Sequence, residues 1–182
     1  ILVAREKSRL QQLAKTILYE SGLAVTITSD VKTALKDAQV VVAVTSAVDT
    51  IIGPEDLMPG AVVCDVSRPR NVSKQVVEQR NDVLVIEGGV VKVPGEVDFN
   101  FDFGFPPGMA YACMSETMIL ALEKMYTNYT LGRDLSLEKV EEISRLAEKH
   151  DFELAGFRSF ERAIDMESIL AIKKRAQAQK KV

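Results

Sequence analysis

The sequence holds two cysteines and one histidine, so nucleophilic or metal chemistry has few places to start. Cys113 lies in GMAYACMSETMILALE (positions 108–123), whose composition predicts one helix with the cysteine in its second turn. At about 100° per residue, Glu123 and Thr127 share a stripe with Glu116, and Cys113, Thr117 and Lys124 flank it. Met114, Met118, Ala121, Leu122 and Met125 fall opposite, where a core belongs. Cys113 thus borders a polar face, where its thiolate could attack a carbonyl carbon. Glu116, three residues on, could shuttle a proton, although a carboxylate also opposes a nearby thiolate. The other reading of Cys113 is a small buried hydrophobe. Cys64, inside AVVCDV, reads as a core residue.

The remaining candidates close apolar runs. Arg5 follows ILVA, where an acidic residue would bind a ribose 2′-hydroxyl and an arginine accommodates a 2′-phosphate. With Lys7 and Arg9 close by, it favours NADP over NAD. Thr45 and Ser46 end VVVAVTS, either beside a cofactor's ribose and nicotinamide or as caps of the next turn. Arg68 and Arg70, in CDVSRPRNV, are candidates to hold a substrate carboxylate or phosphate, if they are not simply solvated. Gly88 and Gly89 in VIEGGVV permit close backbone approach to a flat ring, and equally permit a plain turn. Phe99, Phe101, Phe103 and Phe105 recur at period two, a row of rings for packing or for lining an apolar substrate. His150 closes a helix, facing its dipole, and the basic KKRAQAQKKV reads as a solvated helix end or a dock for an acidic carrier.

The positioning elements follow from uninterrupted Val and Ile runs that alternate with helical segments. Strands are expected at Ile1–Ala4 and within LAVTITSD, AQVVVAVTSA, GAVVCDVS and DVLVIEGG, with helices at 5–20 and 31–37. That order predicts an α/β fold, a doubly wound parallel sheet of Rossmann type covered on both faces, followed by C-terminal helices at 137–149 and 166–180. Residues 1–96 form the expected cofactor domain; 97–182 carry the aromatic connection and the Cys113 helix. A buried strand at residue 1 and no GxGxxG loop predict a fragment of a longer chain, N-terminally truncated, lacking the first strand and the phosphate loop. The net charge of −3 leaves no electrostatic footprint for nucleic acid. No apolar run approaches about 18 residues, so an integral membrane protein is not expected. Cysteine usage without framework spacing suits a cytoplasmic protein, and self-association stays open.

DVSRPRNV after a parallel strand resembles the cofactor domain shared by glutamyl-tRNA reductase and the shikimate and quinate dehydrogenases. The stretch from IEGGVVKVPGEVDF through YACMSETMILALE to NYTLGR and AEKHDF resembles the C-terminal part of the long-chain acyl-[acyl-carrier-protein] reductases and of relatives described as predicted amino acid dehydrogenases. The resemblance covers roughly positions 1 to 155. It implies that Cys113 takes an acyl group from a carrier protein or coenzyme A as a thioester, and that NADPH then delivers hydride to release an aldehyde. Two other readings stay open. One is a dehydrogenase of a small polar substrate, such as an amino acid or a shikimate-like acid, with no covalent step. The other is a non-catalytic binding domain.

Overall fold

The computed structural model describes residues 1–102, 104–132, 135–160 and 162–179. Phe103 of the expected ring row, Arg133 of NYTLGR and the last three residues of the basic tail lie outside them. The chain packs as two units, Ile1–Ile86 with Asp165–Val182, and Glu87–Ile164.

The first unit is α/β and Rossmann-like. β1 (Leu2–Val3) leads into α1 (Lys7–Ser21), β2 (Ile27–Thr28), α2 (Val31–Leu35) and β3 (Val40–Ala43). A 3-10 turn (Pro54–Asp56), β4 (Val62–Asp65), α3 (Lys74–Gln79) and β5 (Leu84–Glu87) follow. β1 pairs in parallel with β2, and β3 in parallel with β4, which lies between β3 and β5. Gly22 ends α1 in the left-handed region (φ 72°), donating its N–H to Leu18 O, a conformation that glycine adopts without Cβ strain. Asp30 caps α2 by accepting from Thr33 N. One face of the β3–β4–β5 sheet is dry, with Ala43, Val63 and Val85 buried. The other face departs from the expectation of cover on both sides: Val40 and Val42 of β3 are 70% and 62% exposed. Of the apolar face of α1, Leu10 is buried, while Leu13 and Leu18 meet solvent. The two-residue strands beside α1 are too short to cover a helix of four turns. The final helix, α6 (Met166–Gln179), returns to this unit, where Ala176 is buried and Arg175 donates to Asn81 O.

The second unit opens with β6 (Val90–Lys92), β7 (Met109–Tyr111) and α4 (Ala112–Leu122). α5 (Leu137–Lys149), β8 (Glu153–Leu154), β9 (Phe157–Ser159) and β10 (Arg162–Ile164) complete it. β6 is the central strand, antiparallel to β7 and β8, so the packing boundary falls before the change in composition at Val97. Val93, Ala110, Ile119 and Phe152 form the core, with Met114, Met118, Ile143 and Leu146 packed around it. Each buried aliphatic side chain contributes about 1.5–3 kcal/mol, and this burial fixes where α4 lies. Leu122, expected on the core side of α4, is exposed, whereas Leu120 is buried. Ser136 caps α5 by accepting from Lys139 N, as its position before an amphipathic run predicts.

The expected row of phenylalanines does not form a strand. Asp98 accepts from Asn100 N, and Asp102 from Gly104 N, two successive Asx turns that bend the chain every few residues. Phe99 consequently packs on the core, Phe101 is 69% exposed, and Phe105 meets Tyr111 edge to face at 4.8 Å.

Candidate functional site

In the first unit the candidate residues gather at the carboxyl ends of β3 and β4. Asp65, the last residue of β4, is 1% exposed. Its Oδ1 accepts from Ser67 N at 3.0 Å, and its Oδ2 accepts from Asn71 N and Val72 N at 2.8 and 2.9 Å. Three backbone N–H groups on one carboxylate fold residues 66–72 into a tight loop. That loop holds Thr45. Its backbone N–H donates to Ser67 Oγ, and its hydroxyl donates to Asn71 Oδ1 at 2.6 Å while accepting from Ala47 N. Thr45 is thereby committed to the frame, and the neighbouring Ser46 is exposed. Arg68 leads a cis Arg68–Pro69 peptide and donates from one guanidinium nitrogen to Ser67 O. Arg68 is exposed and Arg70 half-buried, both on the Asp65-pinned loop. Cys64 is half-buried on the more open face of β4 rather than deep in the core, and burial followed by the neighbouring Asp65 charge pushes its thiol up.

Arg5 stands two residues beyond β1, exposed at the carboxyl end of a parallel strand. Arg9 is taken up by Glu6, while among the described residues no ion pair engages Arg5. Arg5 beyond β1 and the exposed hydroxyl of Ser46 beyond β3 both stand at carboxyl ends of parallel strands, where ligands of such sheets bind.

The second unit brings Gly88, Gly89, Cys113 and Glu116 into one neighbourhood. β6 and β7 pair Val90 with Tyr111, and Ala112 N donates to Gly89 O at 2.8 Å. The glycine pair therefore abuts the start of α4, with Gly89 in the left-handed region (φ 86°). Here the structure corrects the sequence reading. Residues 109–111 are strand, Tyr111 is the N-cap, and Cys113 is the second residue of the helix, in its first turn rather than its second. Its side chain is exposed in the first turn of α4, the end of the helix that carries the partial positive charge of the macrodipole. Glu116 points elsewhere. Its Oε1 accepts from Thr130 Oγ1 at 2.5 Å, which turns the carboxylate toward the loop after α4 and not toward the thiol.

That loop and the outer face of α4 enclose a groove of about 470 Å³, lined among others by Glu116, Thr117, Leu120, Met125, Asn128 and Leu131. Its far wall is fixed by Tyr129, which is buried and donates its one O–H to Glu142 Oε2 at 2.6 Å, with Lys139 O a second acceptor at 3.1 Å. Burial, then the Glu142 carboxylate, pushes the Tyr129 phenol up to about 12. Lys139 Nζ closes the clamp on Tyr129 O. His150 lies at the C-cap of α5, as expected, and its Nε2 also meets Glu123 Oε1 at 2.5 Å. Lys149, first, and then His150 hold the Glu123 carboxyl below the ordinary carboxylate range. In the sequence Asn128, Tyr129 and Thr130 stood out within NYTLGR as part of the resemblance, with no role assigned, and the buried Arg158, whose guanidinium lies over the Phe105 ring, was not singled out. Arg158 carries a weak signal, an arginine within an alternating FRS strand.

Residues 1–87 match the sequence profile of the shikimate / quinate 5-dehydrogenase family. This stretch is Rossmann-like, and its similarity to that family is confined to it. Beyond the Rossmann-like domain, similarity continues through Cys113. The chain is 37% identical over 156 residues to aminotransferase PigE of Serratia sp. (strain ATCC 39006), covering 82% of this chain and 18% of that protein. It is 29% identical over 159 residues to the long-chain acyl-[acyl-carrier-protein] reductase of Synechococcus elongatus (strain ATCC 33912 / PCC 7942 / FACHB-805), covering 84% of this chain and 44% of that one. The chain thus spans less than half the length of either relative. An oxidoreductase-type domain that takes a nicotinamide cofactor is what the profile and the reductase relative support together. Among the described residues, no helix is long and apolar enough to cross a membrane.

Proposed function

We propose that this chain belongs to an NADP-dependent reductase that converts an acyl thioester, borne by acyl carrier protein or coenzyme A, to an aldehyde. The observation that carries the reading is the exposed thiol of Cys113 in the first turn of α4, beside the glycine pair that precedes β6. The Cys113 thiolate attacks the thioester carbonyl, the carrier sulfur leaves and takes up a proton, and the acyl group stays on Cys113 as a new thioester. When bound, the cofactor supplies hydride, so that the acyl group leaves as aldehyde and Cys113 returns to its thiolate. The N–H groups at the start of α4 favour the oxyanion that develops on the carbonyl. Gly88 and Gly89 leave the backbone beside Cys113 free of side chains, open to a flat ring. Arg5 binds the 2′-phosphate, and Ser46 and the frame residue Thr45 line the sugar. Arg68 and Arg70 offer guanidinium groups to an anionic part of the substrate. With Glu116 turned to Thr130, the proton taken up by the departing carrier sulfur comes from solvent.

The intact mass of the full-length protein, incubated with a long-chain acyl thioester without NADPH beside a Cys113→Ala variant, tests this. An acyl adduct in the wild type alone, discharged as aldehyde when NADPH is added, is the expected result. The profile match favours one other reading, a non-covalent dehydrogenase of a small polar acid. No adduct, together with NADPH-linked turnover of such an acid and a raised KM in Arg68 or Arg70 variants, would establish it instead.

A further inference from the structure

We propose that the groove along the outer face of α4 receives the pantetheine arm of the thioester, the extended amide-bearing chain common to coenzyme A and carrier proteins. The inference rests on Cys113 as the acyl acceptor and assigns the part of the substrate that lies on the leaving-group side. Position is the first argument. Glu116 and Thr117 follow Cys113 by three and four residues, about one helical turn of 5.4 Å. The Thr117 side chain leans back over the preceding turn and so opens the groove toward Cys113. Thr117 Oγ1 also donates to Cys113 O at 3.1 Å, joining the groove wall to the backbone of the nucleophile.

Chemistry selects among ligands. Among the described residues the lining contains no lysine, arginine or histidine and contains the Glu116 carboxylate, so a phosphate or carboxylate is disfavoured there. A plain alkyl chain would shut Asn128 and the Glu116 oxygen not bonded to Thr130 away from water, at about 1–3 kcal/mol each. A chain that alternates methylenes with secondary amides meets both needs. Its N–H groups can donate to Glu116, its carbonyls can accept from Asn128, and its methylenes can lie on Leu120, Ala121 and Met125. At about 470 Å³ the groove has the size of small-ligand clefts, about 300–1,000 Å³. It is also pre-formed. Tyr129 is tied to Lys139 and Glu142, and Thr130 to Glu116, so little loop ordering opposes binding.

The test compares acyl-pantetheine with acyl-N-acetylcysteamine, which share the reacting end and differ in the remainder of the arm. Cys113 acylation is followed by intact mass in the full-length wild type and in Ala121→Phe, whose ring fills the groove from an exposed position. Backbone amide NMR shifts of the same proteins are recorded with S-methyl-pantetheine, which cannot acylate. The expected result is a wild-type preference for the longer arm of about tenfold or more, the worth of one or two hydrogen bonds, falling to near one in Ala121→Phe. The Thr117, Asn128 and Thr130 amides shift in the wild type only. A preference that survives Ala121→Phe, or S-methyl-pantetheine shifts elsewhere or nowhere, overturns the assignment. Groove shifts without acylation of Cys113 by any thioester uphold the arm site and reject the covalent reading. Acyl-coenzyme A and acyl carrier protein, run in parallel, tell the two sources of the arm apart by which exceeds the rate of acyl-pantetheine.

Discussion

The carboxyl end of β4 and the amino end of α4 are built in opposite ways. At β4 the residues that look chemical are turned inward and bonded to one another: Asp65, Ser67 and Asn71 are buried, and the Thr45 hydroxyl is engaged both as donor and as acceptor. At α4 the frame is made by strand pairing and an aliphatic core, and Cys113 projects from it into solvent. Polar side chains held in mutual hydrogen bonds position a loop, whereas a side chain that holds nothing is available to react. The same residue types therefore mean different things at the two sites.

The sharpest way to break that contrast is to remove the central group on each side. Asp65→Ala strands three buried N–H groups, and a loss of about 3–5 kcal/mol in folding stability is expected, large enough to unfold a marginal unit. Cys113→Ala removes an exposed thiol, and a change within about 0.5 kcal/mol is expected. Urea denaturation followed by circular dichroism measures both. Comparable losses would mean that the thiol, too, is structural.

A second carboxylate sharpens the β4 side. Asp82 is 2% exposed and takes two hydrogen bonds from Arg80, at 2.8 Å each, while Arg80 also donates to Pro54 O and Leu57 O. The Arg80 guanidinium holds the Asp82 carboxyl below its usual range. A carboxyl depressed by folding contributes stability that is complete above its unfolded value near 4 and fades as pH falls through the lower folded value. Asp82→Asn should cost about 3 kcal/mol near neutral pH. The gap from wild type should narrow below about pH 4. Chemical denaturation at pH 7 and pH 3 gives both numbers, and a gap that does not depend on pH would discard the ion pair as its source.

On the α4 side, Tyr129→Phe removes the hydroxyl that ties the groove loop to α5, and a loss of about 1 kcal/mol is expected. The Tyr129 phenol is raised by folding, so its contribution is complete below about pH 10 and is lost as pH rises toward about 12. Hydrogen exchange should quicken at 125–131 and stay unchanged at 66–72. Faster exchange at both places would show that they are one cooperative element.

The legible parts of this fold were those with local causes. Ser136 before an amphipathic run marked α5, Gly22 marked the end of α1, and the Val-rich runs marked β3, β4 and β5. Where partners are distant in sequence, reading failed. Met109, Ala110 and Tyr111 look like the first turn of the Cys113 helix, but pairing with residues 90–92, some twenty positions earlier, makes them strand. Two aspartates turned the period of the phenylalanines into Asx turns, because a short side chain can capture the N–H two residues on. Asp65 closed an expected strand with no role assigned to it, since nothing in CDVSRPRNV shows that its own backbone returns to the carboxylate. Cys113 was visible by type, whereas Thr130 stood inside NYTLGR with no role, because a groove is made by a loop that folds back on its helix.

That fold-back has a measurable weak point. α4 ends with Glu123 N and Met125 N bonded to Ile119 O and Leu120 O, and Lys124 sits between them at φ 57°, in the left-handed region where a Cβ crowds the following carbonyl. Glycine fits this position without the crowding, though it carries more chain entropy into the unfolded state. The two effects oppose each other, and the strain is the larger, so Lys124→Gly should stabilise by about 0.5 kcal/mol. The gain belongs to the second unit alone, since the loop at 66–72 contains no comparable non-glycine residue. A small rise in the urea midpoint with an unchanged slope would confirm it. A fall would mean that Lys124 is held by contacts of its side chain, and that the groove loop, like the β4 loop, is positioned by its polar residues rather than by its backbone.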